Sequence, residues 1–210
     1  MKAMILVEAK FESGYKFAYQ NASAGYLIWN QKGKMKNMEE IQSLVKRVKK
    51  GDTDAFVALY ETVYQDMYAY ACYMLRNPAD AEDAVSETVM CAYETIGRLR
   101  DADKFRNWIF KILSNQCRKK RKSYLREGEA VEMDLSGSAD PMKQTEEKRD
   151  LEAAFTVLNE EERYIVNGFI FAGYRGEEIA GFLNSKPSTI RSKYRRALQK
   201  MRRYLEVEMR

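Results

Sequence analysis

Apolar residues recur at helical spacing almost everywhere beyond residue 38. Met38, Ile41, Leu44, Val45 and Val48 form one stripe, and Gly51 ends that helix. Asp52 is a good N-cap for the next, in which Phe56, Leu59, Tyr60, Val63, Tyr64, Met67, Ala71, Met74 and Leu75 predict a continuous helix to Arg76. Asn77-Pro78 breaks the run, and Asp80-Ala81-Glu82-Asp83 opens a third helix, its carboxylates suited to the positive end of a helix dipole. Its inward face reads Ala84, Val85, Thr88, Val89, Ala92 and Ile96. Residues 97–103 form a short polar connection. A fourth helix follows, capped by Asp101 or Asp103, with Phe105, Trp108, Ile109, Ile112 and Leu113 toward a core.

Periodicity fades over residues 126–144, where Gly128, Ser136-Gly137-Ser138 and Asp140-Pro141 mark a flexible linker. It resumes at Leu151, Ala154, Phe155 and Leu158. Asn159 and Glu162 have capping-box spacing for a helix that buries Tyr164, Ile165, Phe169 and Ile170 and closes at Gly173. A short helix over 177–183 turns Ile179, Ala180 and Leu183 inward. Asn184 suits a left-handed turn, and Pro187 suits the first position of a last helix with stripe Ile190, Tyr194, Ala197, Leu198 and Met201. No strand-like alternation occurs after Met38. The pattern predicts an all-α chain: residues 38–125 as one small helical domain, 126–144 as linker, and 145–210 as a second domain.

Residues 1–37 differ. They are rich in Tyr, Gly and Ala, hold two acidic residues, and show no sustained period. Three readings stand: a hairpin, a disordered arm, or a segment that is not translated, with initiation at Met35 or Met38. The apolar start is too short for a signal-peptide core.

Charge sharpens the picture. The net charge of +5 over 210 residues hides segregation. Residues 104–126 hold nine Lys or Arg and no acid; residues 127–162 hold twelve acids and three bases; residues 186–203 hold eight bases and no acid. Two basic stretches separated by an acidic one point to a polyanion bound at two places. A membrane surface is the competing polyanion, but no stretch is long or apolar enough to span a bilayer. There is no histidine, which excludes Ser-His-Asp and Cys-His catalysis and removes the commonest metal ligand. The three cysteines, Cys72, Cys91 and Cys117, form no C-x-x-C pair, so they fit core positions in a reducing cytoplasm. No cofactor or metal is expected.

The segment from Arg175 to Tyr204 reads as short helix, tight turn, longer basic helix, the pattern of a helix-turn-helix. Ser188, Thr189 and Ser192 are small or polar enough to enter a major groove, and Arg191, Lys193, Arg195 and Arg196 supply donors for base edges and phosphates. Positions 188, 191, 192, 195, 199 and 202 share one outward face.

Together these stretches resemble the extracytoplasmic-function, two-domain type of bacterial sigma factor. The resemblance rests on Gly51-Asp52 with Ala55-Phe56 and Leu59-Tyr60; on residues 80–88 with Ala92-Tyr93; on Phe105-Arg106, Trp108-Ile109, Ile112 and Asn115; and on Glu177-Glu178-Ile179-Ala180 with residues 188–193 and Arg195-Arg196-Ala197. It spans residues 41–205. It implies a protein that binds core RNA polymerase in the cytoplasm and directs promoter-specific initiation, with no enzymatic activity of its own.

By the same resemblance, Asp80, Asp83, Ser86 and Glu87 lie on the polymerase-binding helix, Asp83 and Glu87 pairing with basic residues. The connection from Leu99 and Arg100 to Asp103 receives a base flipped from the minus-ten strand, and Asn115 helps to hold it. Arg118, Lys119, Lys120, Arg121 and Lys122 follow the phosphate backbone, and Ser188, Thr189, Arg191, Ser192, Lys193, Arg195 and Arg196 meet the minus-thirty-five element. Trp108 is read as core. An anti-sigma partner is common in the family. The sequence departs from the family at Leu99, where an aromatic is common, and at Arg175-Gly176 and Lys186, where helix caps are expected. Two rivals remain: a free-standing helix-turn-helix regulator acting without polymerase, and a Mg²⁺-dependent nuclease using Asp83 and Glu87, a thin pair for a two-metal site.

Overall fold

The computed structural model describes residues 38–127 and 146–208, and its elements there are all helical. These residues fall into two compact units, 38–127 and 146–208. The N-terminal extension 1–37 and nearly all of the expected linker lie outside the described residues.

The first unit contains α1 (Met38–Val48), α2 (Thr53–Glu61), α3 (Tyr64–Leu75), α4 (Pro78–Thr95), 3-10 turns at Ile96–Arg98 and Ala102–Lys104, and α5 (Phe105–Glu127). Helix α1 buries Ile41, Leu44, Val45 and Val48, as its stripe requires. Gly51 takes φ +90°, a left-handed conformation that L side chains rarely adopt. Asp52 then caps α2, its carboxylate accepting from the Ala55 N–H at 3.0 Å and from the Arg47 Nε–H at 2.8 Å. These contacts hold its carboxyl below the usual range, the Ala55 bond contributing most.

The expected long helix is two helices. Thr62 sends both its N–H and its hydroxyl to the Leu59 carbonyl, and Val63 leaves helical geometry at φ −122°, ψ −12°. Two adjacent β-branched residues place the break. The chain then turns so that α3, α4 and α5 pack on one another around Met67, Tyr70, Ala71, Ala81, Ala84, Ile109, Phe110 and Leu113. Arg76 ends α3 in the left-handed region at φ 60°. Helix α4 begins at Pro78 rather than Asp80, because the Asn77 side chain accepts from the Asp80 N–H at 3.1 Å and Pro suits the first turn. Asp101 caps the second 3-10 turn by accepting from the Asp103 N–H, and this turn runs into α5.

The inward face of α5 is rotated from expectation. Phe105, Ile109, Phe110, Leu113 and Cys117 are buried, whereas Trp108 and Ile112 are half-buried. Phe110 belongs inside because Tyr70 meets it edge-on at 5.7 Å and the Arg106 guanidinium lies 4.9 Å above its ring. Arg106 is itself held by Asp66 of α3 at 2.7 Å.

The second unit contains α6 (Glu146–Thr156), α7 (Glu160–Asn167), a π-helical turn (Gly168–Ala172), α8 (Gly176–Phe182) and α9 (Pro187–Glu208), with α9 packed against α6, α7 and α8. The Asn159–Glu162 capping box is present in both directions. The π turn adds a residue to the helix and shifts its register. Phe171 and Ala172 consequently take the buried positions expected for Phe169 and Ile170, which are half-buried. Gly168 sits where a Cβ would meet Ile179 Cδ1 at 3.1 Å, and Gly173 closes the turn at φ 70°.

Candidate nucleic-acid interface

On α5 the basic run divides by helical geometry. Asn115, Arg118, Lys119 and Lys122 are exposed and recur at the three- and four-residue spacing of one helix face. Arg118, Lys119 and Lys122 form no ion pair with the described residues. Lys120 and Arg121 lie on the other side and are half-buried. Lys120 donates to Asp83 at 3.1 Å and lies 3.6 Å from Asp80. Burial disfavours its charge, but the hydrogen bond to Asp83 and the fields of Asp83, Asp80 and Glu87 outweigh that and raise its pKa. Arg121 is close enough to Arg76 to help burial lower the latter's pKa. The unbroken run in sequence is therefore an outward triplet and an inward pair.

Asp80 is not a free carboxylate. Its side chain is 14% exposed, accepts from the Tyr124 hydroxyl and faces Lys120. It ties α4 to α5. Asp83, Ser86 and Glu87 are exposed on the same face of α4 as Met90, which is 66% exposed. Met90 carries no charge signal and was not expected there, although its spacing from Asp83 and Glu87 places it on that face.

The connection between α4 and α5 is less polar than its sequence. Leu99 is buried, so its side chain is a core anchor and offers no surface to a base, while Arg100 is exposed. Lys49, just past α1, donates through Nζ to the Leu99 carbonyl, and Gln42 Nε2 donates to Asp103 at 2.7 Å. Between α1 and this connection lies an open cleft of about 350 Å³. Neither tether has a sequence signal, since the partners stand 50 and 61 residues apart.

In the second unit α8, a tight turn and α9 follow in order. Arg175 offers no side-chain cap to α8; instead Glu178 accepts from the Arg175 backbone N–H at 2.8 Å. Asn184 adopts φ 46°. Ser188, Arg191, Ser192, Arg195, Gln199 and Arg202 are all exposed, and Thr189 is half-buried. Arg191 lies 3.7 Å from Glu177, both well exposed, a contact weak enough to yield to a phosphate. Arg196 is exposed and reaches back to the Ser192 carbonyl at 3.4 Å. Lys193 turns away from this face, half-buried and paired with Glu161 of α7 at 2.6 Å, as Lys200 pairs with Glu162 at 2.6 Å. Among the described residues, no cluster of acidic or cysteine side chains could hold a metal ion, and no helix is long and apolar enough to cross a membrane.

Residues 59–127 match the model of sigma-70 region 2. The sigma factor SigV of Bacillus subtilis is 29% identical over 148 residues, 69% of this chain and 87% of that protein. SigW of the same organism, an extracytoplasmic-function sigma factor, is 35% identical over 96 residues, 43% of this chain and 51% of that protein. Over these stretches the chain is similar to extracytoplasmic-function sigma factors of the sigma-70 family. Among solved structures, the sigma factor RpoE of Bartonella quintana, determined with the anti-sigma factor NepR, aligns with a TM-score of 0.61 at 23% identity, over 72% of this chain and 97% of that one. CnrH, determined with the cytosolic domain of CnrY, aligns with a TM-score of 0.54 at 19% identity, over 81% of this chain and 99% of that one. These two likenesses concern the fold.

Proposed function

We infer that this chain is a sigma factor that binds core RNA polymerase in the cytoplasm and directs it to promoter DNA, without catalysing a reaction itself. The observation that carries the reading is the outward triplet on α5, Arg118, Lys119 and Lys122, cations held by no described carboxylate within a unit that matches sigma-70 region 2. Residues 38–127 would hold polymerase and open the minus-ten region, and residues 146–208 would read the minus-thirty-five element as a helix-turn-helix.

On α4, Asp83, Ser86, Glu87 and Met90 supply charge, a hydroxyl and an apolar projection for polymerase. Asp80 serves the fold instead. On α5, Asn115 reaches for an unstacked base and the triplet follows phosphates, while Lys120 and Arg121 support the helix from behind. On α9, Ser188, Arg191, Ser192, Arg195 and Arg196 face a major groove, with Lys193 holding α9 to α7. Contacts from either unit alone are weak, and joining both through polymerase raises the effective concentration of the second. An anti-sigma partner would compete for the α4 face.

Run-off transcription with purified core polymerase on a genomic library tests this reading. The full chain should support initiation at a defined promoter set. Arg195→Ala should cut transcription about tenfold from promoters that depend on the upstream element while polymerase binding holds, and Glu87→Ala should weaken the polymerase complex first. Loss of polymerase affinity in Arg195→Ala would remove α9 from the DNA. Tight operator binding by the isolated chain, with no gain from polymerase, would favour a free-standing regulator.

A further inference from the structure

Lys120 stands at the seam between α4 and α5, and the two carboxylates that hold it differ. Its ammonium donates to Asp83 at 3.1 Å and lies 3.6 Å from Asp80. Asp80 is mostly buried and also accepts from the Tyr124 hydroxyl, so that side of the arrangement is fixed. Asp83 is well exposed, and a bond made within reach of water is weak. Glu87, one turn further along α4, forms no ion pair with the described residues, although the ammonium feels its charge. Asp83 and Glu87 are the carboxylates offered to polymerase, and a cation of the chain itself stands beside them.

That cation has little freedom to leave. The Lys120 side chain is 20% exposed and is anchored by Asp80 whether or not Asp83 finds another partner. A basic group of polymerase that approaches Asp83 therefore meets a positive charge already in place. Two effects compete. Lys120 orders the Asp83 side chain in advance, which spares part of the ordering cost of binding. An aspartate has a short side chain with two torsions, so this gain is small. Two cations sharing one carboxylate stand within a few ångströms of each other, and at the dielectric of a protein surface their repulsion is the larger effect.

We propose that Lys120 is a positioning residue that sets the strength of the polymerase complex, holding it below what the acidic face of α4 would otherwise give. Asp80 keeps the ammonium in place, and the ammonium weakens Asp83 as a partner for a polymerase cation. The idea rests on the sigma-factor reading above and deepens it. A residue of the basic run on α5 thereby acts on polymerase rather than on DNA.

Full-length variants would be titrated onto purified core polymerase at two salt concentrations. Lys120→Gln keeps a hydrogen-bond donor for Asp80 and drops the charge. It should bind about threefold to tenfold more tightly than wild type at low salt, with a smaller gain at high salt. Damage to the fold would move the affinity the other way. Lys120→Arg should bind as wild type does. In the Asp83→Asn background the gain from Lys120→Gln should fall below about twofold, because nothing then draws the polymerase cation next to residue 120. Dissociation of preformed complexes reports on folded chain alone, and Lys120→Gln and Lys120→Met should both slow it. Unchanged or faster dissociation in both variants, or equal tightening by Lys120→Arg, overturns the proposal. Full polymerase affinity in the Asp83→Asn, Glu87→Gln double variant would instead remove polymerase from α4, and no binding by wild type would overturn the sigma-factor reading; the proposal falls with either.

Discussion

Asp80 and Asp83 stand three positions apart on α4, and their surroundings give them different work. Asp80 is 14% exposed and held by Tyr124 and Lys120, whereas Asp83 is 68% exposed and among the described residues meets the Lys120 ammonium alone. Asp80→Asn should therefore destabilise the first unit by about 1–3 kcal/mol, since a hydroxyl and a cation lose their shared partner in a poorly hydrated site. Asp83→Asn should cost no more than about 1 kcal/mol, as an exposed ion pair does. Urea unfolding of both variants checks this, and equal losses would contradict the division of roles. Nothing in the Asp80-Ala81-Glu82-Asp83 string separates the two. Both acids suit a helix N-terminus, and only the approach of α5 shows which is covered. Glu162 gives a second test at this scale. Burial pushes its carboxyl up, but the Lys200 hydrogen bond and the Asn159 N–H outweigh that and hold it below 4.5. With its folded pKa depressed, its contribution is full above 4.5 and is lost as pH falls through the folded value. Urea midpoints between about pH 3 and 6 should fall less steeply toward acid in Glu162→Gln than in wild type.

Helix stripes were legible wherever one face meets one core. Ile41, Leu44, Val45 and Val48 on α1, and Ile190, Tyr194, Ala197 and Met201 on α9, are buried as their spacing requires. The stripes misled on α5, where Phe110 rather than Trp108 and Ile112 is fully buried, and where the backbone leaves regular α-geometry. The Thr62–Val63 break and the π turn at Gly168–Ala172 both move side chains to faces that regular periodicity does not assign. Gly168 marks the second. A Cβ there would press on Ile179 and Tyr174, both buried, so Gly168→Ala should destabilise the second unit by about 1–3 kcal/mol. Gly181 has nothing within 4 Å of its Cβ direction and lies in α8, so Gly181→Ala should be neutral or stabilise by up to about 1 kcal/mol. Thermal or urea unfolding of the pair distinguishes a packing constraint from a general glycine effect.

For the molecule as a whole, charge placement matters more than charge total. A net charge of +5 spread evenly would give weak, diffuse attraction; here cations gather on outward faces of α5 and α9 while others are neutralised within each unit. Promoter binding by the holoenzyme should therefore depend on salt through particular residues. Replacing Arg118, Lys119 or Lys122 by Ala should each lower the slope of log affinity against log salt by about 0.7–0.9. Lys120→Ala should leave the slope nearly unchanged and reduce stability instead, because its charge is spent on Asp83 and Asp80. Titration of promoter binding at several salt concentrations checks both outcomes. A common slope change for all four would return the run to the uniform basic stretch it resembles in sequence.

The sequence by itself determined the all-helical class, most helix positions, the caps at Asp52 and Asn159, the Pro187 start and the Asn184 turn. Each of these depends on residues within a few positions of one another, where propensity, capping and periodicity act. The tertiary structure decided which charges face outward. Asp80, Lys120 and Lys193 carry the same formal charge as their exposed neighbours, and only packing against another helix turns them inward. It decided also that α1 braces the connection after α4, because a hydrogen bond across 50 residues leaves no trace in local pattern.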